Sequence, residues 1–320
     1  MIFPLSDTRR AYLALHFCIF LWGFTAILGK VIDMSAFWLV SWRMLFTTLS
    51  LIFLPRVLRS VIALPPHVRW QLVGIGCIVS LHWACFYGAI QLANASVALA
   101  TMATASFFTS IIEPLITRSK FRWYELWLGV AIVPGILLFT NGLQTQQMNG
   151  VYVGLLSAIL QAIFASCNKL MVSKAPDGRA ITVLELGSGC LFLTLGIVAF
   201  GYFRDGSLAQ VFDEAAKITS SSKAGHICGI MPIAPNWFYL LFLAIACTSL
   251  PFVLSLWTLR YVSAFTAALA VNLETVYGVL FAIPFLCEND ELSIQFYIGV
   301  AVIVSAVILH PLLRRRFEVA

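Results

Sequence analysis

The sequence predicts an all-α integral membrane protein of ten transmembrane helices, arranged as two inverted five-helix repeats with both termini in the cytoplasm. Three observations predict this class: the composition, ten separate apolar runs, and a one-sided distribution of Lys and Arg. Of 320 residues, 61% are hydrophobic and 11% are charged, and the mean hydropathy is +0.93. Soluble proteins average about 45–50% apolar and about 25% charged residues. The composition therefore excludes a soluble enzyme, a nucleic-acid-binding protein and a secreted disulfide scaffold.

The ten apolar runs give the individual helices, because a transmembrane helix needs about 20 consecutive apolar residues. The runs lie at about 11–29, 36–54, 70–91, 95–117, 123–141, 149–171, 181–202, 237–259, 262–286 and 295–312. The first five form a predicted repeat over residues 1–145, and the last five form a second over residues 146–320. A polar external loop at about 203–236 interrupts the second repeat. Within it we predict a short helix around Leu208 to Ile218, in a lid or a linker.

The distribution of basic residues sets the predicted orientation. With the N-terminus inside, fifteen Lys and Arg residues fall in or beside cytoplasmic loops, four fall outside, and Arg43 lies within the second run. Cytoplasmic loops of membrane proteins carry such an excess of Lys and Arg. The net charge of +6 is therefore attributed to these loops and not to a nucleic-acid partner.

An internal similarity supports the division into two halves. The passage at 91–100 resembles the passage that begins at Leu259, and an offset of 168 pairs Ser96 with Ala264, Ala100 with Ala268, and Thr104 with Asn272. Small and polar residues at this spacing let helices approach closely in lipid. Because five is an odd number of spans, the second copy is inverted relative to the first.

Several motifs occur in the order found in a known family. They are Leu-Trp-Gly-Phe-Thr-Ala-Ile-Leu-Gly-Lys at 21–30, Ser-Trp-Arg-Met-Leu-Phe at 41–46, the passage 256–278 with its Asn-Leu-Glu-Thr, and an acidic turn at 288–291 followed by Ile-Gly-Val at 298–300. Over about residues 11–312 the chain resembles the EamA family of the drug/metabolite transporter superfamily. In that family the ninth helix commonly reads Leu-Glu-Pro. Thr275 stands here in place of the proline, which leaves Pro114 and Pro284 as the predicted kinks.

The resemblance implies a secondary transporter with a cavity between two inverted five-helix halves. Members export amino acids, metabolites or drugs. We expect this chain to export a small metabolite or an amino acid across the inner (plasma) membrane by alternating access, with proton coupling. Two alternatives stay open: a proton-coupled multidrug exporter, and a non-transporting receptor or scaffold.

Ionisable residues within apolar runs are costly and are therefore candidates for the transport pathway. Glu274 lies near the middle of the ninth run, where it could carry a proton or form a structural hydrogen bond, and Tyr277 shares its face. Arg43 in the second run could attract a carboxylate substrate or neutralise an acidic side chain. His82 in the third run could titrate, contact substrate or bond to a neighbouring helix.

The other candidates have weaker signals. Glu113 lies five residues before Arg118, where it could extend to the membrane surface or pair with a basic loop residue. Asn272 is about 200° around the helix from Glu274 and is assigned to the packing stripe. Trp22, Trp83 and Tyr87 could line an aromatic cavity or simply pack.

The sequence also indicates what the protein does not contain. Phosphate-binding loops, His-Glu-x-x-His motifs and nucleophile elbows are missing from it. We therefore expect no enzyme activity, no cofactor and no metal, and transport driven by an ion or solute gradient. The expected partners are a small-molecule substrate and the lipid bilayer, and the question of a homodimer is left open.

Overall fold

The computed structural model describes residues 6–140, 145–205, 208–224 and 231–286, together with six single positions: 298, 301, 302, 305, 309 and 313. Regular structure in these residues is helical, apart from one isolated bridge between Ser221 and Pro235. The helices up to the middle of the chain are α1 Asp7–Val31, α2 Ala36–Ile52, α3 Val57–Ala63, α4 Pro66–Leu92, α5 Ala95–Met102, α6 Ala105–Thr117 and α7 Trp123–Thr140. Those that follow are α8 Thr145–Lys174, α9 Gly178–Asp205, α10 Leu208–Ala216, α11 Asn236–Ala244, α12 Leu250–Thr258, α13 Ala264–Val271 and α14 Leu273–Leu286.

Several of these helices are long and apolar enough to cross a bilayer. Within the described ranges there are six such spans, or seven if α2 and α3 are counted together across their bend of 98°. The chain is thus an all-α protein with multiple candidate membrane spans. The count of ten and the cytoplasmic termini stay predictions, and the predicted last span falls mostly outside the described residues.

Two predicted spans are each interrupted near their middle. The fourth consists of α5 and α6 with a break at Ala103 and Thr104, and the ninth consists of α13 and α14 with a break at Asn272. Thr104 and Asn272 are a pair related by the offset of 168. Hydrogen bonds that leave the regular ladder accompany both breaks: Thr104 Oγ1 donates to the Thr101 carbonyl at 2.6 Å, and the Asn272 side chain bonds to Ser106.

The interruption of the ninth span lies at neither of the two prolines, and kinks at Pro114 and Pro284 stay predictions. Pro114 and Pro284 lie inside α6 and α14, which continue through them, whereas the ninth span breaks at Asn272 without a proline. Thr275, which replaces the family's proline, donates its hydroxyl to the carbonyl of Leu99 at 3.1 Å. This bond joins α14 to α5, so a polar contact between the two interrupted spans occurs at the position of the proline.

A third irregularity lies between α11 and α12, where Ile245–Ser249 forms a π-helical segment. The wider turn leaves backbone carbonyls without their usual helical donors, and two side-chain hydroxyls bond to them instead. Thr248 Oγ1 donates to the Leu243 carbonyl at 2.7 Å, and Ser249 Oγ donates to the Ala244 carbonyl at 2.9 Å. Single π turns in helices occur frequently at functional sites. Here the turn presents Thr248 to Arg43 of α2.

The core is built around α4, which packs against α8, α9 and α2, while α1 packs against α12 and α14. Glycines allow the closest approaches, as small residues do at helix interfaces in lipid. A Cβ on Gly23 would lie 2.8 Å from the Cβ of Tyr277, and one on Gly29 would lie 2.5 Å from the ring of Tyr87. These contacts place the inward faces of α1, α4 and α14 around one cavity.

The predicted loop helix is present as α10, and a 3₁₀ turn at Lys217–Thr219 continues it. The segment after it is tied to the end of α1. The Lys223 backbone donates to the Val31 carbonyl at 2.9 Å, and its ammonium forms an ion pair with Asp33 at 2.9 Å. The described part of the loop is therefore docked on the helices, and its role as a lid or a linker stays a prediction.

Candidate functional site

A cavity of about 120 Å³ lies between the helices, lined by residues of α1, α2, α4, α5, α8, α12, α13 and α14. The structure places five of the nine predicted pathway residues in its lining: Trp22, Arg43, His82, Trp83 and Glu274. The walls are largely apolar, with the rings of Phe86, Phe164 and Phe252 among them. A mostly apolar pocket with a few convergent polar groups is the usual form of a small-molecule site.

Glu274 occupies the first turn of α14, immediately after the break at Asn272. The N-terminal turn of a helix favours a negative charge because its backbone N–H groups are unpaired. The Thr25 hydroxyl of α1 donates to its Oε1 at 3.3 Å. No Lys or Arg of the described ranges forms an ion pair with it, so the carboxyl group faces the cavity with one weak neutral partner.

Arg43 is the basic group of the cavity, and only 3% of it is exposed. Its Nε donates to Thr248 Oγ1 at 2.7 Å, its Nη1 donates to the Tyr87 hydroxyl at 2.8 Å, and its guanidinium carbon lies 3.9 Å from the ring centre of Trp83. Hydroxyl and cation–π partners orient the group without neutralising it. Among the residues that the structure describes, none is a carboxylate at ion-pair distance from Arg43. That Arg43 neutralises an acidic side chain stays a prediction.

His82 forms a hydrogen bond to a neighbouring helix, which was one of the roles predicted for it. Its Nδ1 lies 2.9 Å from both the carbonyl oxygen and the Oγ of Ser157, which joins α4 to α8, and its ring packs against Phe164. The Ser157 hydroxyl also donates to the His82 carbonyl at 2.9 Å. The imidazole thus lines the cavity while one ring nitrogen is held by α8.

Glu113 lies outside the cavity, and neither of its expected roles was right. It is 6% exposed and does not reach the surface or a basic loop residue. Its two carboxylate oxygens accept hydrogen bonds from the backbone N–H groups of Ala264, at 2.9 Å, and Phe265, at 2.6 Å. The first N–H groups of a helix cannot bond to its own carbonyls, and Glu113 accepts from these two. Glu113 therefore caps α13 from α6.

Three further candidates lie behind the lining. Tyr87 is fully buried and acts through its hydrogen bond to Arg43. Asn272 is buried, and its Nδ2 donates to Ser106 Oγ at 3.1 Å, which agrees with a packing role between α6 and α13. Tyr277 packs among Phe20 and Phe281 of α1 and α14.

Sequence reasoning missed two polar residues of α8 in the lining, Gln161 and Asn168. They are seven residues apart and so lie on one face of the helix. Two polar residues at this spacing within an apolar run are the sequence signal that could have identified them as lining a cavity. Lys169, which was counted with the cytoplasmic loops, lies within α8 and donates to the carbonyls of Leu259 and Val262.

Comparison with known proteins finds a family that is similar to the first part of the chain. Residues 9–141 match the EamA-like transporter family. Over this segment the resemblance read from the motifs is confirmed, and the family belongs to the drug/metabolite transporter superfamily. EamA proteins are transporters and not enzymes, which fits the expected absence of enzyme activity.

Structural similarity extends over nearly the whole chain. A crystal structure of another protein covers 97% of this chain and 99% of its own, with a TM-score of 0.67 and 15% sequence identity. At that identity the likeness shows the fold alone. Among curated proteins, none matches this chain. The match of residues 9–141 to the EamA-like family is thus the finding that suggests a transporter of the drug/metabolite type.

Proposed function

We propose that this protein is a secondary active transporter that exports a small metabolite or an amino acid across the inner (plasma) membrane, with proton coupling through Glu274. The observation that carries this proposal is the cavity itself. It contains one carboxyl group, Glu274, and one guanidinium, Arg43, and neither forms an ion pair with a described residue.

Arg43 supports a substrate with a carboxylate. A buried guanidinium without an anionic partner is costly, and a carboxylate from the substrate would both neutralise it and accept hydrogen bonds from it. Tyr87 and Thr248 hold Nη1 and Nε, so the orientation of the group is fixed before a substrate arrives. This preorganisation reduces the ordering cost of binding.

Glu274 supports coupling to protons. Its one described hydrogen bond, from Thr25, is long at 3.3 Å, so the carboxyl group is not committed to a structural partner. Ionisable residues in such positions commonly form proton relays. A proton that binds Glu274 neutralises the carboxylate, and its release restores a charge that a substrate ammonium group would pair with.

The interrupted spans support alternating access. Discontinuous helices beside a central site are typical of transporters built from inverted repeats, in which one repeat rocks against the other. Here the break at Asn272 lies two residues before Glu274, and the hydrogen bond from Thr275 to Leu99 links the two broken spans. A change at Glu274 would therefore act directly on that link.

One observation favours a multidrug exporter as a second candidate. The walls carry several aromatic rings, and apolar aromatic surface beside an acidic residue suits hydrophobic cations. Arg43 opposes this function because a buried positive charge repels a cationic substrate. The metabolite or amino acid is therefore the primary proposal.

A substrate screen separates the two candidates. The purified protein in liposomes would be tested with radiolabelled amino acids, with small carboxylic metabolites and with cationic drugs, each with and without a pH gradient. Gradient-dependent flux of zwitterionic or carboxylate compounds supports the primary proposal. Flux restricted to hydrophobic cations would replace it by the multidrug function, and no flux of any compound would contradict both.

A further inference from the structure

A second buried carboxyl group lies beside the cavity, and the proposed transport mechanism does not use it. Glu185 of α9 is fully buried, at 0% exposure, and Asn168 of α8 is 2% exposed. The Asn168 Nδ2 donates to Glu185 Oε2 at 3.2 Å. This hydrogen bond joins α8 to α9, and Asn168 also lines the cavity.

The other oxygens of the same two side chains are both unsatisfied. Glu185 Oε1 and Asn168 Oδ1 are buried and have no hydrogen-bond partner in the described part of the chain. Both oxygens are acceptors when the carboxyl group is ionised, and an unsatisfied buried acceptor costs about 1–3 kcal/mol. Two on adjacent, bonded side chains therefore require a common explanation.

No described cation compensates a charge on Glu185. Cys167, next to Asn168 in α8, is a further titratable side chain on that helix. On the neighbouring helices, Arg43 bonds to Thr248 and Tyr87, His82 bonds to Ser157, and Lys169 donates to backbone carbonyls. The helices packed against α9 carry further titratable groups, and none of these forms an ion pair with Glu185. They include Arg59, His67, Arg69, Cys77, Cys85, Asp213 and Glu214.

A single proton resolves both unsatisfied oxygens. If Glu185 Oε1 carries it, the O–H group donates to Asn168 Oδ1 while Asn168 Nδ2 donates to Glu185 Oε2. The two side chains then form a closed carboxylic acid–carboxamide pair with two hydrogen bonds and no net charge. This arrangement keeps the hydrogen bond from Asn168 Nδ2 to Glu185 Oε2 and gives a partner to each of the two unsatisfied oxygens, Glu185 Oε1 and Asn168 Oδ1.

We propose that Glu185 and Asn168 form a second proton-binding site, separate from Glu274, which fastens α8 to α9 at the edge of the cavity. Loss of the proton to cavity water converts Oε1 into a negatively charged acceptor, and Asn168 Oδ1 then has no donor. One hydrogen bond is lost and two acceptors then repel each other. The hydrogen-bonded link between Asn168 of α8 and Glu185 of α9 thus depends on the occupancy of this site by a proton.

The proton can be observed directly by infrared spectroscopy of the purified protein at neutral pH. A protonated carboxyl group has a C=O stretch that an ionised one lacks, and ¹³C-labelled glutamate assigns that band. We expect a carboxyl band that is lost in Glu185→Gln and kept in Glu274→Gln. In Asn168→Leu, which removes the partner, the band should shift because its hydrogen bonds are gone.

Stability measurements complete the test. A glutamine side chain at position 185 can form the same two hydrogen bonds with Asn168, so Glu185→Gln should unfold at the wild-type temperature in detergent, whereas Glu185→Leu should unfold at a lower one. A band that persists in Glu185→Gln, a band unmoved by Asn168→Leu, or a Glu185→Gln variant that fails to fold would each overturn the proposal. These readouts involve no substrate, so a failure of the proposed transport function would leave them unchanged.

Discussion

Replacing Glu113 with alanine removes both acceptors that cap the first turn of α13. In soluble proteins a hydrogen bond to a charged group contributes about 1.5–3 kcal/mol, so the two bonds set an upper range of about 3–6 kcal/mol. Interhelical hydrogen bonds measured in membranes are weaker, about 0.6 kcal/mol on average. Because the backbone N–H groups of Ala264 and Phe265 are left buried without this partner, we expect a loss of about 2–4 kcal/mol in the free energy of unfolding.

The measurement is an SDS titration in mixed micelles, followed by the circular dichroism of the helices. Glu113→Gln keeps one acceptor oxygen and should lose about half as much stability as Glu113→Ala. Glu214→Ala on the exposed loop helix is the matched control and should unfold close to wild type, because exposed ion pairs contribute about 0–1 kcal/mol. If Glu113→Ala unfolded at the same SDS fraction as Glu214→Ala, the capping role would be refuted. Transport per folded molecule should persist in Glu113→Gln, since the residue lies outside the cavity.

Two further predictions concern the packing and the charge of the cavity. Gly29→Ala should destabilise the protein by about 1–3 kcal/mol, because the new Cβ would lie 2.5 Å from the Tyr87 ring. The same SDS titration measures this loss, and Gly74→Ala is the control because a Cβ at Gly74 meets no atom within 4 Å. Equal stability of the two variants would contradict the prediction. Arg43→Lys keeps the charge but loses the planar group that binds both Tyr87 and Thr248, so the KM for a carboxylate substrate should rise at least several-fold. Arg59→Lys, on the exposed surface, is the control and should leave the KM unchanged. An unaltered KM in Arg43→Lys would show that Arg43 does not bind the substrate.

Hydrophobic pattern alone placed most helices well. The predicted second and eighth spans, 36–54 and 237–259, correspond to Ala36–Ile52 and to Asn236–Thr258, because the ends of an apolar run coincide with the residues that leave lipid. Positions within a run were harder to interpret. Helix periodicity gives the face on which a residue lies but not the rotation of that face toward a partner.

The partners of the buried polar residues therefore could not be predicted. Glu113 meets a backbone that follows it by 151 residues, and Arg43 meets a hydroxyl 205 residues away. Neither distance in sequence leaves a local signal. The π-helical segment that presents Thr248 was equally hidden, since it depends on hydroxyls that bond to their own helix.

The motif-based part of the interpretation is confirmed for the first part of the chain, for a different reason. The first-helix and second-helix motifs fall within residues 9–141, the segment that matches the family. By contrast, the change from proline to threonine at position 275 could be seen in the sequence, but its consequence could not. A hydroxyl bond to Leu99 requires that α5 lies beside α14, and only the fold shows that.

The most direct test of the account is proton-coupled flux through Glu274→Gln. The wild-type protein and the variant would be reconstituted in liposomes at equal folded amounts, with a transported substrate inside or outside and an imposed pH gradient. We predict that the gradient accelerates flux in the wild type and has no effect in Glu274→Gln, while Glu214→Gln behaves as the wild type does. Flux in Glu274→Gln that responds to the gradient as the wild type does would show that the proton is carried elsewhere and would contradict the central claim.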